Sequence, residues 1–352
     1  MKKIALILVL ALVAGIAAGC MGTPVIYYSD CTCPTGSHGT NVDTTKPTVG
    51  EGVVKTGLAI VTSVGKSENA KVADYDVTLV AVTVDDKGVI TDCIIDSIGA
   101  KVNFDATGKV TSDLTAEVKT KNELGDDYGM KAYGGAKYEW YEQAAALADY
   151  AVGKTVEELR SGAIDESGKA PEGSDLASTA TIYLGGYVSA IEEAVKNAQH
   201  LGAQAGDELK LATVNSIGSS ASATAEKAGT AQLDSTVTAL TVKDGVITSC
   251  YIDSVQAKVA FDNKGVISTD LTAAVQTKNQ LGDKYGMVAW GGAKHEWNEQ
   301  AASFAAYVTG KTAAEVAGIA ITESTKPADA DLSASVTIAI GGFQALIAKA
   351  MK

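Results

Sequence analysis

The sequence predicts an α+β protein that contains two copies of one unit. Apolar and polar residues alternate over Val77–Val84, which indicates a strand, and a DDKG turn leads from it into a second apolar run. Further on, EWYEQAAALADYAV carries apolar residues at a period of about 3.6, the pattern of an amphipathic helix. The stretch from Gly88 to Thr155 then recurs at a constant offset of 157 residues, with 44 identities in 68 positions.

The length of the repeat predicts two domains. Units of about 150 residues are too long for solenoid repeats and suit autonomous domains. We therefore predict that residues 52–200 and 207–352 are homologous domains that fold separately, joined by the polar stretch HLGAQAGDE. Because descent alone keeps most residues identical after a duplication, differences between the copies are more informative than shared residues.

The N-terminus predicts export. Residues 1–19 carry two lysines, an apolar run from Ile4 to Ala18 that is short for a spanning helix, and small residues before Cys20. The ending Ala-Ala-Gly-Cys resembles the lipobox of bacterial lipoproteins, which implies cleavage before Cys20 and acylation of its thiol. Ordinary secretion with a free Cys20 is the alternative. The expected location is the outer face of the cell membrane, with the protein anchored by lipid.

Residues 20–51 have the composition of a flexible tether. They are rich in Gly, Thr, Ser and Asp, hold three of the five prolines, and show no apolar periodicity. Within them, Cys31 and Cys33 are interpreted as a disulfide or as two free thiols. A metal site is disfavoured, because His38 is the only other ligand nearby and structural zinc requires four.

The charge excludes one class of partner. The formal net charge of −13 becomes −15 once Lys2 and Lys3 leave with the signal peptide. A chain this acidic repels the phosphate backbone of nucleic acids, so nucleic-acid binding is excluded. It is also repelled by an anionic membrane surface, which leaves the lipid as its contact with the membrane.

The remaining elements follow in chain order. The stretches FDATGKV and FDNKGVI predict a second hairpin-like turn in each copy. Cys93 and Cys250 lie in apolar runs, so we expect them in strands as small hydrophobic residues. The amphipathic helices are expected to end at Gly153 and Gly310, before a further helix begins. After a loop that contains proline, each copy closes with a last amphipathic segment.

A short motif precedes that last segment in both copies. Residues 175–181 read DLASTAT and residues 331–337 read DLSASVT, so a Thr follows an Asp at the same spacing twice. On local chemistry alone, Asp175 and Ser178, like Asp331 and Ser333, are candidate N-caps of the last helix. This interpretation leaves the recurring Thr unexplained.

The motif resembles that of bacterial FMN-binding domains, in which Asp-x-x-Ser-Gly-Ala-Thr carries FMN through a phosphoester on the Thr. Asp175, Ser178 and Thr181 match it, and the second copy matches at Asp331 and Thr337. With its lipobox, its two copies and the stretches TKNxLGDxYGM and EWxEQAA, the chain is similar to doubly flavinylated surface lipoproteins of Gram-positive bacteria. The resemblance implies two covalent FMN groups, on Thr181 and Thr337. It also implies a flavin transferase that uses FAD and Mg²⁺, and an Asp that either serves recognition by this enzyme or holds its Mg²⁺.

The function implied by this resemblance is extracytoplasmic electron transfer rather than turnover of a dedicated substrate. Electrons are expected to come from a membrane quinol or NADH dehydrogenase system and to pass to extracellular acceptors, with the flavin supplying the redox chemistry. A solute-binding lipoprotein and a structural surface lipoprotein, both without flavin, are the alternatives.

Two further groups of residues are candidates for contact with the cofactor. A polar loop ends at Gly129 and Met130 in the first copy and at Gly286 and Met287 in the second, where small and sulfur-containing residues suit a flat ring.

The aromatic and histidine residues are less indicative. Trp140 and Trp297, each preceded by Glu139 or Glu296, are interpreted as core residues of helices rather than cofactor contacts. His200 and His295 have no partners at catalytic or metal-binding spacing, and the chain has no phosphate-binding glycine loop and no nucleophile–histidine pair.

Overall fold

A computed structural model describes residues 52–352, which belong to one compact unit. The predicted signal peptide and tether, with Cys20, Cys31 and Cys33, lie outside the described residues. Within 52–352, no helix is both long enough and apolar enough to cross a membrane.

Each repeat contains one three-stranded antiparallel sheet, in the order β1-β2-β3 and β4-β5-β6. The strands of the first repeat are β1 Lys55–Ser63, β2 Val72–Val84 and β3 Ile90–Asn103, and those of the second are β4 Glu208–Ser216, β5 Gly229–Lys243 and β6 Val246–Phe261. The predicted turns DDKG and KDG join β2 to β3 and β5 to β6, as expected. The sequence pattern did not reveal β1 or β4.

Helices follow the sheet in each repeat, which confirms the α+β fold class. Those of the first are α1 Lys121–Leu124, α2 Met130–Gly134, α3 Trp140–Ala151, α4 Val156–Ala163, α5 Asp175–Thr179 and α6 Gly185–Lys196. Those of the second are α7 Lys278–Leu281, α8 Trp297–Val308, α9 Ala313–Ala317, α10 Ala330–Ser335 and α11 Gly341–Ala350. Short 3₁₀ turns lie at Gly125–Tyr128 and Gly282–Tyr285.

The predicted break after the long helix is confirmed in both repeats. Gly153 and Gly310 have φ angles of 82° and 84°, in the left-handed region that glycine adopts without strain. The next helices then begin behind N-caps, Thr155 before α4 and Thr312 before α9, each in a capping box with a glutamate three residues later.

Both faces of each sheet are buried. Along β2, Val77 and Leu79 belong to a core between the two sheets, whereas Val80 and Val82 pack against the helices of their own repeat. Because successive side chains of a strand point to opposite faces of the sheet, alternate residues of β2 belong to two different cores. The protein has four layers in the order helices, sheet, sheet, helices.

The core between the sheets is built jointly by the two repeats. Phe104 and Phe261 are equivalent residues, and their rings stack with centroids 4.0 Å apart and an interplanar angle of 2°. The backbone contacts around them are reciprocal: Ala70 N–H donates to Gly265 O at 2.7 Å, and Ala223 N–H donates to Gly108 O at 2.8 Å. Such mutual contacts are the mark of an approximate two-fold axis.

This shared core leads us to expect, against the sequence-based prediction, that neither repeat folds by itself. Residues 52–200 or 207–352 alone would expose one half of a core of 22 buried residues, among them Val77 and Leu79 of one repeat and Leu233 and Val237 of the other. Exposure of an apolar face of this size opposes folding.

The two strand cysteines are placed as predicted. Cys93 in β3 and Cys250 in β6 are both buried, and desolvation raises the pKa of both thiols. Raised thiol pKa values make these side chains small core hydrophobes without nucleophilic character.

Candidate functional site

Thr181 and Thr337 lie between two helices rather than at a helix start. Ser174 caps α5 and Asp329 caps α10, so the interpretation of Asp175 and Asp331 as caps of the last helix is wrong. The last helices begin only at Gly185 and Gly341. The hydroxyl of Ser178 is also not a cap, since it donates to Asp175 O at 2.7 Å inside α5.

Buried apolar residues fix the segment around each threonine. Leu176, Ala180 and Leu184 are 3%, 1% and 0% exposed and belong to the helix-side core of the first repeat. The second repeat places Leu332, Val336 and Ile340 in the same way. Between these anchors, Thr181 is exposed and Thr337 is half-buried. Each threonine is therefore held between residues of the core and keeps some contact with solvent, Thr181 more than Thr337.

A buried glutamine on the long helix binds the first of these threonines. Gln143 of α3 is 0% exposed, and its Oε1 accepts the N–H of Thr181 at 2.8 Å and the N–H of Ile182 at 3.2 Å. The Thr181 hydroxyl lies 3.2 Å from the same oxygen. One amide oxygen thus holds the backbone and the side chain of the threonine together.

The second repeat reproduces this arrangement. Gln300 of α8 is 0% exposed, and its Oε1 accepts the N–H of Thr337 at 2.7 Å and that of Ile338 at 3.1 Å. The Thr337 hydroxyl lies 3.2 Å away. The second threonine therefore occupies the same chemical setting, although the three residues before it differ.

A glutamate at the start of the same helix binds the predicted loop. Glu139 is 1% exposed, and its two oxygens accept the N–H groups of Met130 and Lys131, both at 2.8 Å. Glu296 does the same for Met287 and Val288, at 2.8 and 2.9 Å. The loop and the threonine segment, far apart in sequence, are both attached to one end of α3 or α8.

Gly129 and Gly286 serve the shape of that loop. Their φ angles are 80° and 82°, and a Cβ would lie 2.5 Å from the ring of Tyr133 or 2.7 Å from the ring of Trp290. Only glycine fits such a position without strain. Tyr133 and Trp290 are themselves 91% and 88% exposed, so both repeats present an aromatic ring to solvent here.

A cavity of about 420 Å³ lies beside Thr181 in the first repeat. Its lining includes Tyr128, Met130 and Trp140, from the loop and α3, and Ile182, Tyr183, Gly186 and Tyr187, which follow Thr181 in the chain. Its volume and aromatic walls suit a planar ligand. Of the four predicted loop residues, Met130 lines this cavity, and Met287 packs against the core of its own repeat.

Trp140 combines a core position with a place in the cavity wall. It is 3% exposed, as a core residue should be, and its Nε1–H donates to Tyr187 OH at 3.0 Å. Trp297 is 6% exposed and meets the ring of Phe343 edge-on, with centroids 5.9 Å apart. Burial confirms a core position for both residues, and Trp140 also lines the cavity.

A lysine in each repeat supplies positive charge at the site. Lys121, which lines the cavity, has its Nζ 5.2 Å from the ring centre of Tyr128 and 4.9 Å from that of Trp140. In the second repeat, Lys278 lies over Tyr285 and Trp297 at 4.9 and 4.7 Å. Aromatic faces hold a cation in place without neutralising it, so these ammonium groups can still pair with an anion.

Desolvation affects the second of these lysines. It lowers the pKa of Lys278 to about 8, against the opposing attraction of Asp234 and Asp253. An anionic ligand beside this ammonium would favour its charged form.

A buried aspartate positions each lysine. Asp96 of β3 is 9% exposed and accepts the N–H groups of Ser97 at 2.7 Å and of Asn122 at 3.1 Å, which fixes the start of α1 next to Lys121. Asp253 of β6 binds the start of α7 in the same way. Desolvation outweighs these hydrogen bonds and raises the pKa of both carboxyl groups to about 6.

These raised pKa values predict a pH dependence of stability. Because an unfolded Asp titrates near 3.9, the folded protein binds more protons between about pH 4 and pH 6, and its stability falls as the pH rises through that window. Relative to an Asp96→Asn/Asp253→Asn variant, the wild type should lose on the order of 2 kcal/mol per carboxyl group between these limits. Urea denaturation of both proteins at several pH values measures this, and a constant difference in free energy would contradict it.

The two repeats differ along one wall of the site. Lys66 pairs with Asp76 at the cavity of the first repeat, whereas in the second Ser219 donates to the equivalent Asp234 at 2.7 Å. In the positions of Tyr183 and Tyr187 the second repeat has Ala339 and Phe343. The anchoring of the threonine and most of the residues that line the cavity are therefore shared, while the positions of Lys66, Tyr183 and Tyr187 differ.

The chain has no match among known family models, curated proteins or solved structures. Within residues 52–352, no group of three or more His, Cys, Asp or Glu side chains could hold a metal ion. His200 and His295 each lie near a single carboxylate, of Asp86 and Glu299 respectively.

Sequence reasoning missed two pairs of site residues, Gln143 with Gln300 and Lys121 with Lys278. Both pairs lie in stretches that are identical in the two copies, but in a duplication this close an identity carries little information. Their roles depend on contacts across long sequence distances, which no local pattern reveals.

Proposed function

We propose that the chain is a lipid-anchored, extracytoplasmic electron carrier with one FMN attached to Thr181 and one to Thr337. It receives electrons from a quinone-linked dehydrogenase of the membrane and passes them to extracellular acceptors. Cys20 carries the lipid. The protein supplies the attachment, the position and the charge around each flavin, and the flavin supplies the redox chemistry.

One observation carries this proposal: both threonines are held by a buried glutamine in two copies of the same setting, and neither threonine is itself buried. The exposed Asp175 and Asp331 agree with a role outside the fold, such as contact with the transferase.

The surroundings of Thr181 suit the two parts of FMN. The cavity beside it has aromatic and sulfur-containing walls for a planar ring, from Tyr128, Met130 and Trp140. Lys121, which lines the same cavity as Ile182, and the N-terminus of the 12-residue helix α6, which begins at Gly185, are sources of positive charge that support a phosphate on Thr181.

Attachment from FAD balances without an oxidant. The threonine Oγ forms a bond to the phosphorus on the flavin side of FAD, the bond to the second phosphate breaks, and AMP leaves. The hydroxyl proton passes to a base of the transferase, which also brings the Mg²⁺. A covalent bond prevents loss of the cofactor from an exported carrier to the medium.

The test is the intact mass and the visible spectrum of the native protein, isolated from cells that make a flavin transferase. We expect two FMN groups per chain, a yellow protein, and bleaching on reduction with dithionite that air reverses. A control culture without transferase should yield the colourless chain. Colourless protein from both cultures would contradict the proposal.

A solute-binding function is the second candidate, and one observation favours it. A cavity of about 550 Å³ lies between the stretch 199–201 and α8, where the Oδ1 atoms of Asn279 and Asn298 are buried without a hydrogen-bond partner among the described residues. The version of this function in which two domains close over a ligand conflicts with the shared core. A colourless protein that is stabilised by a neutral solute would favour it.

A further inference from the structure

We propose that Gln143 and Gln300 are positioning residues that select Thr181 and Thr337, among the hydroxyl groups of their segments, for flavin attachment. The inference rests on the proposed function, because it concerns which oxygen is presented to the transferase.

The first segment offers three hydroxyl groups, and two of them belong to the short helix α5. Ser178 donates to Asp175 O at 2.7 Å, and Thr179 donates to Leu176 O at 3.1 Å. Both hydroxyl groups therefore satisfy carbonyl groups of their own helix. Thr181 alone lies past the helix, and its hydroxyl bonds to Gln143 instead.

The second segment shows the same division. Ser333 donates to Ala330 O at 3.1 Å, and Ser335 lies 3.4 Å from Leu332 O. Thr337 again lies past the helix, and its hydroxyl bonds to Gln300. In both repeats, the contact with glutamine therefore distinguishes the equivalent threonine from the other hydroxyl groups of its segment, although those other residues differ between the repeats.

The geometry of the glutamine explains how it orients the threonine. Nε2–H of Gln143 donates to Tyr138 O at 3.0 Å, and that of Gln300 donates to His295 O at 2.8 Å. These bonds fix the orientation of the amide. A flipped amide would lose them and would place its N–H groups against the N–H donors of the threonine segment. The Oε1 atom therefore always faces the threonine.

The hydrogen bond also directs the hydroxyl group. While its proton points to Oε1, the threonine oxygen directs its lone pairs away from the long helix, and the proton turns from Oε1 to the base of the transferase when the oxygen attacks. An attacking oxygen needs a free lone pair in this direction, and misplacement of a reacting atom by about 1 Å can lower a rate about a hundredfold. The glutamine thus acts before the chemical step, through the position of the nucleophile.

The test compares rates of attachment at the two threonines within one molecule. The full chain is purified without flavin and incubated with flavin transferase, FAD and Mg²⁺, and peptide mass spectrometry quantifies FMN on each segment over time. In Gln143→Leu we expect the rate at Thr181 to fall at least about tenfold, with the rate at Thr337 unchanged. Gln300→Leu should give the reverse.

Two further variants separate positioning from stability. Gln143→Glu keeps an acceptor oxygen for the same three donors but loses the donation to Tyr138 O, so it should label Thr181 faster than the leucine variant and more slowly than the wild type. Thr155→Ala removes the cap of α4 and costs about 1 kcal/mol without touching the threonine segment, so it should leave both rates unchanged.

Three results would overturn the inference. The leucine variant could label Thr181 at the wild-type rate, both threonines could slow together, or the glutamate variant could fail to exceed the leucine variant. A wild-type chain that takes no flavin at either threonine would instead refute the proposed function, so the two failures are distinguishable.

Discussion

Thr181→Val and Thr337→Val should each remove one covalent flavin, and the double variant should be colourless yet folded. Valine keeps the shape and β-branching of threonine and deletes only the hydroxyl. The amide oxygen of Gln143 or Gln300 loses one donor at 3.2 Å and keeps its two backbone donors. The loss of stability should therefore be about 1 kcal/mol.

The measurements are visible absorption, peptide mass spectrometry and thermal unfolding. The absorption of each single variant should be about half that of the wild type, because one of two sites is lost. Thr179→Val is the matched control, since it deletes a hydroxyl two residues away and should leave both flavins in place. FMN found on Thr179 and Ser335 would overturn the assignment of the residue but leave the function standing.

Phe104→Ala should lower the free energy of unfolding of the whole chain by about 3–5 kcal/mol, the range for removal of a buried phenylalanine. The ring of Phe104 stacks on that of Phe261 in the core that both repeats share. Loss of one ring leaves a cavity in the core that lies between the two sheets. The two repeats should therefore lose stability together and unfold in one transition.

Hydrogen exchange in increasing urea, followed by mass spectrometry, resolves the two repeats. Peptides of 52–200 and 207–352 should shift to lower urea by the same amount in Phe104→Ala. Tyr133→Ala, at a residue that is 91% exposed, is the control and should shift neither. If only the first repeat shifted, or if isolated 207–352 unfolded cooperatively with the stability of the full chain, the repeats would be independent.

The secondary structure was largely predictable, because it depends on local signals. The β-branched residues of β2, the turn residues before β3 and the left-handed glycines at Gly153 and Gly310 each act within a few residues. The shared core was not predictable in this way. The run VTLVAVTV is apolar at both phases of the strand period, so it indicates two buried faces, but nothing in it tells which surface covers the second face.

The candidate site was predictable only in part, for the same reason. Thr181 and Thr337 follow from a motif, whereas Gln143 matters because it meets a backbone 38 residues later in the chain. The start of the last helix was misjudged because Asp175 and Ser178 are good caps in general. Here Ser174 takes that role, and the apolar residues of the segment are drawn into the core beyond it.

Because two repeats share the core between their sheets, this architecture requires an even number of copies. Each sheet needs a partner sheet on its inner face. A chain that gained a third copy would therefore carry one uncovered sheet face, and a chain that lost one copy would expose the inner face of the remaining sheet. Growth or loss by single copies is thus opposed by folding, while substitutions along the outer cavity walls are free of that constraint. At these walls the copies differ in places, with Ser219 in the position of Lys66 and Ala339 in that of Tyr183.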